Sequence, residues 1–385
     1  MKKRIFLSLI WILLLFGQTA ISAQNPLDAE VQEQLDSLQL DELDSYGQEN
    51  GQALGLGSFS EMAQDLASGG NPFDIRSIFN QIGKILFDEV YQSFYLLLEI
   101  IAVAILFSFL NQLKGEFQKS TVSNTAFFVC YIVLAGLVLE AFVQSADMTK
   151  NTVQSVSMFI HAAAPILMTL LIGGGAVGTA AAVNPVILMS TQVVTGLMDF
   201  LIMPLIYASA VLAIVSEIND RISISRLVEL LKKAVKWSLG LIMTVFVGVL
   251  GVSGFAAASL DGAVGKTAKY LVSNSVPVVG GILSDTVETV VSCCSVVKNA
   301  VGAAGIGAVA VMCALPLLKL TVVSALFYLA AALIQTVADR RIVNAVTAVA
   351  SSVGLMIAVI AVCALMFIIC IGMIMSLGNT AAMLR

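Results

Sequence analysis

Four charged side chains, Glu99, Glu140, Asp199 and Lys319, stand in or at the ends of long apolar runs, and the chain's one histidine, His161, sits in another. A charge at mid-bilayer costs about 2.5–3.5 kcal/mol on insertion scales. Such groups must therefore meet a polar partner, an aqueous cavity or another subunit. One reading makes them the polar lining of a conduit or ion path. The other is an internal ion pair or snorkelling to the interface, which suits Glu99 and Glu140 because both lie near span ends. His161 precedes Pro165 in an apolar helix and is better placed for an interhelical hydrogen bond than for a proton relay.

Other chemistry finds little support. A single histidine argues against a histidine-rich metal site, a Ser-His-Asp hydrolase and a Cys-His nucleophile. The six cysteines, Cys130, Cys293, Cys294, Cys313, Cys363 and Cys370, lie mostly inside apolar runs without metal-ligand spacing. They read as small packing residues. Gly265-Lys266-Thr267 resembles the end of a nucleotide-binding loop, but Leu260 stands where that loop needs its first glycine. No cofactor, metal or catalytic residue is expected and the chain is not read as an enzyme; any energy source would belong to another subunit. Net charge is −5, and the basic residues form no aromatic-interleaved stripe, so nucleic acid is not an expected partner.

Gly173, Gly174 and Gly175, followed by Asn184-Pro185, mark a break between apolar segments. Glycine runs let a helix unwind or backbones approach closely, so this is a candidate hinge or re-entrant loop, with a simple interhelical turn as the other reading. Gly248, Gly251 and Gly254, and again Gly302, Gly305 and Gly307, give small-residue faces. These favour helix packing within the chain or between copies, which leaves a homo-oligomer open.

The elements that must position these groups are helices in a bilayer. Apolar residues make up 58% of the chain and charged residues 12%, against about 25% charged in a soluble domain. The expected fold is all-α, a polytopic helical membrane protein. Residues 1–23 read as a signal peptide, with Lys2, Lys3 and Arg4 before an apolar stretch and small residues before the cut. Residues 24–90 form an acidic, Gly-rich segment that is expected outside the cytoplasm. Residues 91–385 form the multispan domain. Clear spans are 94–113, 126–143, 156–172, 237–255 and 353–377. The stretches 183–218 and 301–337 are harder to divide, giving seven to nine spans in all. The connector 219–236 carries Arg221, Arg226, Lys232, Lys233 and Lys236. It is the strongest positive-inside signal and reads as an amphipathic cytoplasmic helix or a plain helical linker. Residues 259–299 read as an extracytoplasmic excursion.

Several local patterns together resemble one family. They are Asp220-Arg221-Ile222-Ser223-Ile224-Ser225-Arg226-Leu227-Val228-Glu229-Leu230-Leu231 leading into Trp237-Ser238-Leu239-Gly240-Leu241; Val276-Pro277-Val278-Val279-Gly280-Gly281-Ile282-Leu283-Ser284-Asp285; Lys298-Asn299-Ala300; and Leu315-Pro316-Leu317-Leu318-Lys319-Leu320. As a set they resemble the stage III sporulation protein AE family of endospore-forming bacteria, from about residue 173 to the C-terminus. The resemblance implies a multi-pass subunit of the mother-cell membrane surrounding the forespore. Its implied partners are the other stage III sporulation proteins, AA to AH, and stage II sporulation protein Q. Together these form a transenvelope channel, or feeding tube, related to secretion machines, which supports late forespore gene expression. The family brings no catalytic residues. The alternative from the residues alone is a free-standing secondary transporter or permease with a site near the broken helices.

Overall fold

A computed structural model describes residues 31–383, apart from 47–56, 114–120, 218–223, 276–279 and the isolated positions 33, 36, 37, 39, 41, 71, 73, 74, 337 and 339. The signal-peptide expectation falls on residues 1–23, outside the described residues. Every regular element among the described residues is helical. They are α1 (Phe59–Ala67), α2 (Ile75–Leu113), α3 (Thr121–Gly173), α4 (Val177–Leu197), a π-helical turn (Met198–Ile202), α5 (Met203–Ser216), α6 (Ser225–Ser275), α7 (Gly280–Ile334) and α8 (Arg340–Met383).

Among the described residues, six helical stretches are long and apolar enough to cross a membrane, fewer than the seven to nine spans expected. The difference is continuity. The expected spans 126–143 and 156–172 are both parts of α3, one helix of 53 residues. The polar residues between them, Gln144, Asp147, Asn151 and Gln154, continue the face of Glu140 at helical spacing. The intervening Phe142, Ala146, Thr149 and Val153 are buried. A stripe of that kind continues a helix instead of ending it. Residues 183–218 likewise form a single path through α4, the π-turn and α5, and α7 runs through Pro316 without a break. At about 1.5 Å per residue, α3 is roughly 80 Å long. A hydrocarbon core is about 30 Å thick, so part of the helix stands beyond it.

α8, the most apolar of the candidate spans among the described residues, lies at the centre against α7, α3, α6 and α5. α2 packs on one flank against α7 and α3, and α6 on another against α4, α5 and α8. The connector 219–236 is not a separate surface helix where it is described. From Ser225 it is the first part of α6, with Val228 and Val235 buried and Leu227 and Leu230 exposed. The exposed stripe continues through Trp237, Leu241, Val245, Val252 and Phe255, as a lipid-facing side should.

Within the acidic segment, α1 opens with a capping box. Ser58 accepts from the Glu61 backbone N–H, and the Glu61 carboxylate accepts from the Ser58 N–H. The Asp44 carboxylate accepts from both the backbone N–H and the hydroxyl of Ser60, at 2.9 and 2.8 Å. Phe59, Met62 and Ala63 are buried, and Phe59 meets Phe159 of α3 edge-on at 5.7 Å. The segment thus has a docked apolar side, while Glu42, Glu61 and Asp65 stay exposed.

Candidate functional site: polar pairs inside an apolar bundle

Asp199 lies in the π-turn, and Pro204 explains why the helix widens there. Proline has no N–H to give the carbonyl of Phe200, and its ring crowds that carbonyl. The chain relaxes to a longer bond, with the Met203 N–H donating to the Met198 carbonyl. Such π-bulges recur at functional sites. The half-buried Asp199 carboxylate then accepts from the Gln154 side-chain amide of α3 at 2.9 Å.

Lys319, three residues after Pro316 in α7, approaches Glu89 of α2 at 3.8 Å. Glu89 falls at the end of the acidic stretch 24–90, and in the fold it lies on α2 as the counter-ion of Lys319. No local pattern signals a pair separated by this much sequence. Lys298 was also missed as a candidate. It is only 2% exposed, and its ammonium donates to the Met375 carbonyl of α8 at 2.9 Å. A lysine inside an apolar run was the available signal. Lys232 is a third such tie, donating to the Ala348 carbonyl at 2.9 Å and to the Ser351 hydroxyl.

The five singled-out polar residues do not converge on one point. Glu99 and Glu140 are exposed on the outer surfaces of α2 and α3, whereas Asp199 and Lys319 join separate helix pairs. The interhelical hydrogen bond expected of His161 is not formed at Nε2, which is buried without a partner among the described residues. The Asn184 side-chain oxygen is buried and unpartnered in the same way. Gly173, Gly174 and Gly175 form the turn between α3 and α4. Gly175 takes φ 84°, a left-handed conformation that suits glycine, and the Ala176 N–H returns to the Leu171 carbonyl. Asn184 and Pro185 lie inside α4 and make no break.

Gly265, Lys266 and Thr267 are helical, within α6, and so form no phosphate loop. Among the described residues no cluster of three or more His, Cys, Asp or Glu could hold a metal. Cys293, Cys294, Cys313, Cys363 and Cys370 are buried and in no disulfide among the described residues.

The sequence profile described as stage III sporulation protein AE matches residues 57–378. The chain belongs to the stage III sporulation protein AE family. The stage III sporulation protein AE of Bacillus subtilis (strain 168) is 31% identical over 321 residues, covering 83% of this chain and 80% of the relative. No solved structure matches. The family match takes in α1 and every helix with a candidate span, so the polar pairs of Asp199 and Lys319 lie within the region this family shares. Six apolar helices in a member of this family fit a multi-pass membrane protein.

Proposed function

We propose that the chain is a non-enzymatic integral membrane subunit of the sporulation channel that links mother cell and forespore and supports late forespore gene expression. Family membership carries this reading. The bundle adds polar groups held between apolar helices: Asp199 with Gln154, Lys319 with Glu89, and the buried, unpartnered His161 Nε2 and Asn184 Oδ1. Groups of this kind suit a hydrated lining better than a lipid-facing surface. Asp199, Lys319 and His161 are its proposed members, and the Gly173–Gly175 turn is a pivot at the end of α3.

The basic start of α6, with Arg226, Lys232, Lys233 and Lys236, supports placing that end of the bundle in the mother-cell cytoplasm. Lys232 reaches Ser351 of α8, whose own start, about three turns back toward the same end, carries Arg340 and Arg341. Phe59 of α1 meets α3 about 28 residues beyond Tyr131, roughly 42 Å along the helix. The acidic segment is then extracytoplasmic, facing the intermembrane space, with its exposed carboxylates available to the other stage III proteins and to stage II protein Q.

The test uses a spore-forming host in which the chain replaces its own family member. A tagged copy should cofractionate with the membrane around the forespore, co-purify with the other stage III proteins and restore a late forespore reporter. Solute uptake by the purified protein alone, with no effect of its deletion on the reporter, would refute the proposal and favour a free-standing transporter.

A further inference from the structure

We infer that copies of this chain associate side by side in the membrane, the outer face of α3 in one copy against the outer face of α6 in the next. The α3 face carries the exposed residues Ile132, Val133, Gly136, Glu140 and Val143. The α6 face carries Lys236, Trp237, Gly240, Thr244 and Gly248, all exposed, with Trp237 at 81%.

Charge and depth complementarity point to a second copy as the occupant. Glu140 is acidic within an apolar, exposed surface, and Lys236 is basic at the head of another. Lys233 beside it is held by Glu229 at 2.8 Å, which leaves Lys236 as the outward charge. The two charges stand at matching depth. Tyr131 donates to the Ile214 carbonyl and Asn344 to the Glu217 carboxylate, which ties α3 and α8 to one end of α5. Glu140 lies nine residues beyond Tyr131. Lys232 meets Ser351, seven residues beyond Asn344, and Lys236 is four further along α6. At about 1.5 Å per residue these heights agree within roughly one helical turn. Two copies inserted in the same orientation therefore bring opposite charges to the same level.

The two faces belong to different helices that both pack on α4 and α8, with α3 also on α2 and α7 and α6 also on α5, so they are different surfaces of the chain. The contact is heterologous and propagates as a ring or a row. The glycines on these faces leave room for the contact. An added Cβ at Gly136, Gly240 or Gly248 meets nothing within 4 Å in the chain, whereas one at Gly254 comes within 2.8 Å of Met373. Glycine costs about 1 kcal/mol against alanine inside a helix. Internal packing accounts for Gly254, whereas Gly136, Gly240 and Gly248, which lie on the two proposed faces, leave room there for the close approach of a neighbouring helix.

The experiment reconstitutes the full chain with two different tags in nanodiscs and measures co-capture. E140K alone and K236E alone should each weaken association about tenfold or more, equivalent to about 1.4 kcal/mol. Mixing E140K copies with K236E copies should restore it, because each contact then joins opposite charges again. Restoration also shows that both variants are folded. A second measurement avoids charge reversal: a short bis-maleimide should link an E140C copy to a K236C copy and give no product with E140C copies alone. Association unaffected by either single reversal, no rescue on mixing, or crosslinking of E140C copies to each other would each overturn the inference.

Discussion

Lys319 of α7 faces Glu89 of α2 across 3.8 Å, with the Glu89 side chain 15% exposed and that of Lys319 42% exposed. The pair joins the peripheral helix α2 to the helix that packs most extensively on the central α8. Because Lys319 is well exposed, solvent screens the interaction and its coupling is modest. A double-mutant cycle with Glu89→Gln and Lys319→Met should give about 0.5–1 kcal/mol, read by steric-trap unfolding in bicelles. A coupling near zero would show that the pair does not hold α2 in place.

Lys298 is a tighter case. Its stem is packed and its ammonium donates to the Met375 carbonyl. Lys298→Ala leaves a cavity and removes that donor, and should destabilise by about 2–4 kcal/mol. Lys298→Met keeps most of the volume and should cost less, about 1.5 kcal/mol or under. The same unfolding assay ranks the two; equal losses would mean that packing around the stem contributes little.

Glycine substitutions should divide by surroundings. A Cβ at Gly302 would collide with Met375 Cγ, and one at Gly173 would sit 2.8 Å from Cys294 Sγ. Gly302→Ala should therefore destabilise by about 1–3 kcal/mol through overpacking. Gly196→Ala, whose Cβ meets nothing within 4 Å, should be neutral or slightly stabilising through helix propensity. Thermal aggregation midpoints of purified protein distinguish the two.

The docked α1 supplies a further test. Phe59→Ala removes the edge contact with Phe159 and should cost about 3 kcal/mol, enough to release the segment. Ser58→Ala removes only the cap, at about 1 kcal/mol. Limited proteolysis should then cut Phe59→Ala between residues 47 and 70 much faster than the parent, and Ser58→Ala only slightly faster. Equal rates would mean that the segment is held by other contacts.

Composition made the all-helical, apolar architecture legible, and the patterns around residues 220–241, 276–285 and 315–320 made the family legible. What escaped was long-range geometry. Residues 144–154 look like a connector when polar residues are counted, yet Gln144, Asp147, Asn151 and Gln154 fall on one face of α3. Asp199 stood out as a charge in an apolar run, but its partner Gln154 lies on another helix and no short-range rule joins them. Lys298 was hidden because the residues around it read as part of an excursion, whereas its side chain is packed against α8.

Asp199 offers the most direct test of a polar interior that serves transfer between the two cells. Asp199→Ala, introduced in place of the parent copy in a sporulating host, should sharply lower late forespore reporter activity. Immunoblots should show unchanged protein level, and co-purification should show unchanged assembly with the other stage III proteins. Normal reporter activity in cells carrying Asp199→Ala would contradict the account, as would a loss of activity fully explained by loss of the protein.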